Sequence, residues 1–150
     1  MKLAIEEALF GKKSGEPPFG GIIIDAKGNI IARAHDTVIK NHDLTRHSEL
    51  DLIRKACHKR GRDLTGYIVI CTCEPCPLCF TAIWLAKVST VIFGSYIPDV
   101  LKITNNKQRE LNFSAKNMNA KSGKQIRLIG GILRKECAKL FKDYKYKNNN

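Results

Sequence analysis

The chain has 150 residues, and 43% of them are hydrophobic. This length fits a single domain over residues 1–150 with a core of its own, and the hydrophobic fraction excludes an intrinsically disordered chain. No apolar stretch approaches the ~20 residues that cross a bilayer, so no membrane partner is expected. The N-terminus lacks the basic and apolar segments of a signal peptide, and we therefore expect a cytoplasmic protein.

The net charge of +12 is concentrated in the last third of the chain. Residues 1–100 carry 13 Lys and Arg against 11 Asp and Glu, whereas residues 101–150 carry 13 against 3. A basic segment of this kind is typical of proteins that bind nucleic acid. It is equally typical of a sequence that is rich in Lys and Asn throughout, so both interpretations stay open.

The apolar residues alternate between helical and strand periods along the chain. In chain order we predict a helix over 1–12, strands over 21–25 and 29–34 that form a hairpin, a helix over 46–60, a strand over 67–72, a helix over 75–87, strands over 88–93 and 126–129, and a helix over 133–144. Residues 95–125 are polar, and a helix near 107–113 is the one element expected there. A frayed tail is expected from Lys145. The order of elements predicts an α/β fold with a mixed sheet of about five strands flanked by helices.

Four of the six cysteines lie within residues 71–79. Such crowding in a chain without export signals favours metal or redox chemistry over disulfides. Cys76 and Cys79 are three positions apart on the first turn of a predicted helix, so both thiolates can bind one metal ion. The helix N-terminus also stabilises their charge and lowers their pKa.

His47 opens another predicted helix and supplies a neutral nitrogen as a third ligand. Three protein ligands with an open fourth position are typical of catalytic zinc, whereas structural zinc has four. Glu49, two residues further on, can reach a water molecule at the open position without binding the metal, and we predict that it transfers protons. The pattern H-x-E followed by P-C-x-x-C is the signature of zinc-dependent nucleobase deaminases.

The cysteines and histidines allow other roles. Cys71 and Cys73 could complete a structural four-thiolate site, but their places on a predicted strand lead away from the helix start. A thioredoxin-like redox pair would leave His47 and Glu49 unexplained. The remaining cysteines fall on apolar helix faces and are predicted core residues, namely Cys57 and Cys137. The remaining histidines have no ligand spacing, namely His35, His42 and His58.

Four segments resemble motifs of the cytidine and deoxycytidylate deaminase superfamily, in the branch with guanine deaminases and tRNA adenosine deaminases. They are 18–24 (PFGGIII), 43–49 (DLTRHSE), 73–79 (CEPCPLC, close to the CEPCPMC of bacterial guanine deaminases) and 130–137 (GGILRKEC). The resemblance covers nearly the whole chain. It implies a three-layer α/β/α fold, one Zn²⁺ per chain and a homodimer. It also assigns Gly21, in the first of these motifs, to substrate binding.

Asp36 is the departure from the family that bears most on the substrate. Relatives usually have an Asn at the end of the second strand, where its amide binds the base. An ionised Asp only accepts hydrogen bonds, so we predict that Asp36 binds a base edge that presents N–H groups, as guanine does at N1. Arg46 replaces a small residue beside the zinc ligand and could bring a cation toward the pocket.

The sequence therefore predicts hydrolytic deamination of an aminated nucleobase or nucleoside, guanine or a related purine preferred, with release of ammonia. The enzymatic alternative is a tRNA-specific adenosine-to-inosine deaminase, which the basic last third favours. Cys73 and Pro77, however, match the guanine deaminase form of the cysteine motif. A non-catalytic binding module stabilised by zinc is the third hypothesis. Glu49 argues against it, because a structural zinc site has no use for that carboxylate.

Overall fold

The computed structural model describes residues 1–123 and 126–145, which contain five strands and six helices. In chain order these are α1 Lys2–Lys13, β1 Gly20–Ile24, β2 Ile30–His35, α2 Ser48–Arg60, β3 Ile68–Cys73, α3 Pro77–Leu85, β4 Thr90–Ser95, α4 Ile97–Ile103, α5 Ala115–Lys121, β5 Arg127–Ile129 and α6 Arg134–Lys139. Within these residues, no helix combines the length and the apolar character that crossing a membrane requires.

The five strands form one mixed sheet in the order β2-β1-β3-β4-β5. β1 is antiparallel to both of its neighbours, β2 and β3, whereas β3, β4 and β5 run parallel. The parallel half follows from the connections, because each contains a helix and so brings the next strand back in the same direction. The predicted α/β fold with a mixed sheet of about five strands is confirmed.

Helices cover both faces of this sheet, and two glycines of β1 show how closely they approach it. A Cβ atom on Gly20 would collide with the backbone of Ala8 in α1, whereas one on Gly21 would lie 3.0 Å from the Cδ1 atom of Leu52 in α2. Successive residues of a strand point to opposite faces, so α1 and α2 lie on opposite sides of the sheet. The arrangement is the three-layer α/β/α fold expected from the resemblance.

Residues 95–125 differ most from the sequence-based prediction. The helix predicted near 107–113 is wrong, because residues 104–114 form a loop and the helices α4 and α5 lie on either side of it. α4 begins where the carboxylate of Asp99 accepts a hydrogen bond from Tyr96 N at 2.9 Å. α5 begins where the hydroxyl of Ser114 accepts one from Asn117 N at 3.2 Å. These capping hydrogen bonds fix the first residues of the two helices, in a segment whose apolar residues have no clear helical period.

Two other helices are shorter than predicted. The helix expected over 75–87 spans Pro77–Leu85, and Pro75 precedes its N-cap instead of lying in its first turn. The helix expected over 133–144 spans only Arg134–Lys139: Leu133 precedes it in a left-handed conformation with φ 53°, and residues 140–143 form turns. Of the predicted frayed tail, Lys145 is exposed, and residues 146–150 lie outside the described residues.

Candidate metal and catalytic site

Two helix starts bring the three predicted metal ligands together. His47 is the N-cap residue of α2, Cys76 is the N-cap residue of α3, and Cys79 lies in the first turn of α3. Both N-cap residues have extended backbone conformations, with ψ 148° at His47 and ψ 166° at Cys76. The two segments of the chain therefore enter their helices from the same end of the sheet. The ligands therefore come from rigid element starts and not from a mobile loop.

The distances between the ligand atoms fit zinc. His47 Nδ1 lies 3.7 Å from Cys76 Sγ and 3.4 Å from Cys79 Sγ, and the three ligand atoms lie within 4.8 Å of one another. Zn–S bonds of about 2.3 Å and Zn–N bonds of about 2.0 Å at tetrahedral angles place N and S about 3.5 Å apart. The observed separations bracket that value, so these three side chains could hold one zinc ion.

The thiol of Cys76 is prepared for metal binding by its neighbours. The hydrogen bond with Cys79, and after it the one with His47, lower the pKa of Cys76 to about 4 in spite of its burial. Cys76 is therefore a thiolate at neutral pH, which is the form that binds metal. The lowered pKa that the sequence analysis expected for both thiols is found for Cys76, but it is wrong for Cys79, because the hydrogen bond with Cys76 and burial raise the pKa of Cys79 well above its ordinary value.

Two of the alternatives for the cysteines, the disulfide framework and the four-thiolate site, are wrong for the described residues. All six cysteines are free, which contradicts a disulfide framework. Within residues 1–123 and 126–145, His47, Cys76 and Cys79 form the only metal-competent group of three or more side chains, so a four-thiolate site with Cys71 and Cys73 does not form. Cys71 instead directs its thiol toward the carbonyl of Ile92, at 3.9 Å.

Glu49 lies beside the ligands in a buried position. Its Oε2 atom accepts a hydrogen bond from the hydroxyl of Ser48 at 2.9 Å and is 3.7 Å from Cys79 Sγ. Burial, and after it the charge of Cys76, raise the pKa of this carboxyl above its ordinary value. A raised pKa makes a carboxylate a stronger base toward water, as a group that accepts and then returns a proton must be.

The two residues predicted to bind substrate lie behind the site. Asp36 is buried, and its Oδ1 atom accepts a hydrogen bond from Ser48 N, the first residue of α2, at 2.7 Å. Burial raises the pKa of Asp36 well above its ordinary value, and a protonated Asp donates a hydrogen bond as well as accepting one. Gly21 lies inside β1, opposite Ala34 and Cys71, where it admits the Leu52 side chain. Substrate binding by either residue stays a prediction.

Arg46 is not among the residues that line the inner pocket or the outer groove. Its guanidinium lies 3.1 Å from the carboxylate of Asp51, which also pairs with Arg54 at 2.6 Å. The replacement of a small residue by Arg46 therefore adds a surface ion pair rather than a cation in the pocket.

The ligands line a small inner pocket that adjoins a larger outer groove. The inner pocket has a volume of about 10 Å³, roughly the space of one water molecule. Its walls are Phe19, His47, Glu49, Glu74, Cys76, Cys79 and Glu110. The outer groove has a volume of about 720 Å³ and passes between the loop over 36–46 and the loop over 104–114. His47 and Glu110 line both spaces, so a substrate in the groove would meet these two residues first.

Glu110 is the site residue that the sequence analysis missed. Burial, followed by the charge of Cys76, raises the pKa of Glu110 to about 7. Its Oε1 atom accepts a hydrogen bond from Gln108 Nε2 at 3.2 Å. One sequence feature could have drawn attention to it: Glu110 is one of only 3 acidic residues in the basic segment 101–150. The loop that carries it has no period that would have placed it at the site.

Known proteins are similar to this chain in sequence and in fold. Residues 1–95 match the family model of the cytidine and deoxycytidylate deaminase zinc-binding region. The tRNA-specific adenosine deaminase of Bacillus subtilis (strain 168) is 33% identical over 140 residues, which cover 91% of this chain and 81% of the relative. The guanine deaminase of the same organism is 37% identical over 97 residues, covering 63% and 62% of the two chains. A solved structure from a study of A-to-I editing by tRNA:A34 deaminases has a TM-score of 0.79 at 26% identity, covering 93% of this chain and 96% of that chain.

The fold and the three-ligand site define the class of zinc-dependent deaminases. The chain belongs to the cytidine and deoxycytidylate deaminase family, because the family model matches well over half of it. It is therefore a hydrolytic deaminase of a nucleobase or nucleoside, and zinc is its cofactor.

Proposed function

We propose that the chain deaminates a free aminated purine, guanine by preference, and releases ammonia. The observation that carries this proposal is the position of Glu110. It is a half-buried carboxylate at the junction of the inner pocket and the outer groove. The inner pocket has room for about one water molecule, so a base would lie in the outer groove and meet the carboxylate of Glu110 at its inner end.

The proposed reaction replaces the amino group of the base by oxygen from water. Zinc bound by His47, Cys76 and Cys79 would supply a Lewis acid that makes water nucleophilic near neutral pH. The water oxygen bonds to the amino-bearing carbon, and the bond from that carbon to the amino nitrogen breaks. Glu49 takes one proton from the water and delivers it to a ring nitrogen, and then takes the second proton from the newly attached hydroxyl and delivers it to the amino group, so that ammonia departs.

The preference for guanine follows from hydrogen-bond chemistry. At about pH 8, above the pKa of about 7 of Glu110, its carboxyl is mostly ionised and then only accepts hydrogen bonds, so the preference is to be assayed at that pH. The edge of guanine donates from N1–H and from its amino group, whereas N1 of adenine is itself an acceptor and would face Glu110 without a proton between them. Buried polar groups that are wrongly paired cost about 1–3 kcal/mol, which corresponds to a discrimination of roughly 5- to 150-fold.

Editing of adenosine in tRNA is the second candidate. The similarity to the tRNA-specific adenosine deaminase of Bacillus subtilis extends over more of the chain than the similarity to guanine deaminase. The basic segment 101–150 and the open outer groove of about 720 Å³ also suit a polynucleotide better than a free base. Arg109 lies exposed in that groove.

A homodimer is part of the proposal. Large apolar side chains are exposed along α3 and the neighbouring loop, namely Leu78, Leu85 and Phe113. They adjoin a shallow apolar depression of about 440 Å³ lined by Trp84 and Met118 among others. An apolar patch of this kind on a surface marks a contact with another protein chain.

A substrate panel tests the proposed function. The zinc-loaded protein is incubated with guanine, adenine, guanosine, cytosine and unmodified tRNA, and ammonia release is measured. Guanine is expected to react fastest. In Glu110→Gln the ratio of guanine to adenine rates is expected to fall by roughly 5- to 150-fold, because an amide can also donate. Asp36→Asn is compared in the same panel and shows whether the carboxyl behind the pocket adds to the preference.

The exposed Glu136 of α6 provides the matched control, since Glu136→Gln removes the same charge far from the pocket lining. That variant should keep the wild-type ratio. A Glu110→Gln variant with an unchanged ratio would remove Glu110 from substrate recognition. Inosine formed in tRNA, with binding that weakens steeply as salt rises, would replace guanine deamination by the second candidate.

A further inference from the structure

Glu74 joins the metal-binding segment to the end of the sheet. It follows the last residue of β3 directly and precedes the cysteine ligands by two residues. Its main-chain N–H donates a hydrogen bond to the carbonyl of Ser95, the last residue of β4, at 2.8 Å. The residue as a whole is only 5% exposed, and it forms part of the wall of the inner pocket.

The carboxylate of Glu74 holds two helix starts at once. Oε1 accepts a hydrogen bond from Ala115 N at 2.9 Å, and Oε2 accepts one from Ile97 N at 3.3 Å. Ile97 is the first residue of α4, and Ala115 is the first residue of α5. One side chain therefore fastens both ends of the segment that contains α4 and the loop over 104–114.

The loop itself has few other attachments. Within the described residues, the hydrogen bonds made by residues 105–113 go to partners within 101–113, such as Lys107 N to the Thr104 carbonyl and Phe113 N to the Leu111 carbonyl. Such local bonds shape a loop but do not fix its position relative to the rest of a protein. The position of Glu110 therefore depends on what holds the ends of the loop.

We propose that Glu74 is a positioning residue, which fixes the loop over 104–114 against the metal-binding segment and thereby sets where Glu110 stands. The importance of Glu110 for substrate rests on the proposed function, whereas the attachment of the loop does not. Hydrogen bonds from backbone N–H groups to a buried carboxylate are among the strong ones, and this carboxylate uses both oxygens. The metal site and the loop that meets the substrate thus share one anchor.

The two ends of the segment are not equally dependent on Glu74. The start of α4 has a second anchor, because Asp99 accepts a hydrogen bond from Tyr96 N and also pairs with Arg134 at 2.8 Å. The start of α5 has only its local cap at Ser114 within the described residues, and the other attachment of α5 to the sheet lies at its far end, where Asn119 pairs with Ile126. Loss of Glu74 should therefore release residues 105–115 and leave α4 in place.

Glu74→Gln tests this assignment by amide hydrogen exchange and steady-state kinetics on the zinc-loaded protein. Gln has one acceptor oxygen, and its NH₂ group would face the other N–H donor. Exchange over residues 105–115 is expected to speed up by at least about tenfold, with α4 unchanged. With the fastest substrate of the panel, KM is expected to rise by about tenfold. The value of kcat is expected to fall less than threefold, because the metal ligands and Glu49 remain. Zinc content should stay at the wild-type value.

Ser114→Ala is the matched control. It removes the local cap of α5 but leaves both hydrogen bonds of Glu74 in place, so stability should fall slightly while loop exchange and KM stay at their wild-type values. If Ser114→Ala and Glu74→Gln gave the same changes, any damage to α5 would explain them, and the proposal would be overturned.

Ala115→Pro tests the same anchor from the other side if Glu74→Gln does not fold. Proline lacks the N–H that Glu74 accepts, and it is tolerated at the first position of a helix. The preceding Ser114 already has the extended conformation that proline requires, with ψ 147°. Faster exchange over 105–114 is again the expected result. Unchanged exchange in a folded variant, or loss of zinc, would overturn the proposal, and neither result depends on which base is the substrate.

Discussion

Cys76→Ala and Cys79→Ala are each expected to reduce the zinc content from about one ion per chain to nearly none, with a loss of activity of at least ~10³-fold. Each variant removes one of the three ligand atoms, and the two that remain cannot hold zinc against the solvent. Zinc per chain is measured by elemental mass spectrometry after dialysis. The effect should be large because the described residues offer no fourth protein ligand that could replace the lost one.

Cys71→Ser and Cys73→Ser are the matched controls for the zinc measurement. They lie on β3, a few residues before the metal-binding segment, and both are buried. Some loss of stability is expected, because each replaces a thiol in the core by a more polar hydroxyl. Zinc content should nevertheless stay at about one per chain. Depletion of zinc in these variants equal to that in Cys76→Ala would contradict the three-ligand site.

Glu49→Gln is expected to keep its zinc and its fold while losing turnover by ~10²–10⁴-fold. The amide preserves the shape of the side chain, but it cannot take up a proton from water. Burial raises the pKa of Glu49, which makes its carboxylate a stronger base, and its Oε2 atom lies 3.7 Å from the ligand atom Cys79 Sγ. Rates are measured as ammonia release on protein of known zinc content.

Asp51→Asn serves as the control for this variant. Asp51 lies on the same first turn of α2, where it pairs with Arg46 and Arg54 and takes no part in the pocket lining. It should retain the wild-type rate within a few-fold. A Glu49→Gln enzyme as active as Asp51→Asn would remove Glu49 from the mechanism and would revive the hypothesis of a zinc-stabilised binding module.

The metal site could be predicted from the sequence because its geometry is local. Cys76 and Cys79 are close through the helix repeat alone, and His47 and Glu49 are close through theirs. Only the closeness of the two helix starts depends on the fold. The predicted order of strands and helices was enough to indicate that fold. The sheet was predictable for the same reason, since β1, β3 and β4 are runs of apolar residues with clear boundaries.

The substrate side of the site could not be predicted, because it depends on contacts between distant parts of the chain. Glu74 reaches Ala115 across 41 residues of sequence. Glu16 provides a second example: its buried carboxylate accepts hydrogen bonds from Ile39 N and Lys40 N, at 2.9 and 2.7 Å, and thereby holds the loop that leads to His47. Nothing in the periodicity of a sequence indicates which loop a buried carboxylate will hold.

The protonation state of Asp36 could not be predicted from the sequence either. The sequence predicts that Asp36 binds substrate, and the structure places its carboxyl next to the start of α2. Its burial, however, raises its pKa, so the assumption that it only accepts hydrogen bonds does not follow from the residue type. Protonation depends on surroundings that are set by the fold.

Isotope labelling tests the central claim, hydrolytic deamination, most directly. The zinc-loaded enzyme is incubated in water enriched in ¹⁸O with the base of the panel that reacts fastest, and the product is analysed by mass spectrometry alongside released ammonia. The account predicts one ¹⁸O atom at the former amino-bearing carbon and one ammonia for each product molecule, with both formed at least ~10²-fold more slowly in Glu49→Gln. Product without the label, or product formed without ammonia, would contradict it.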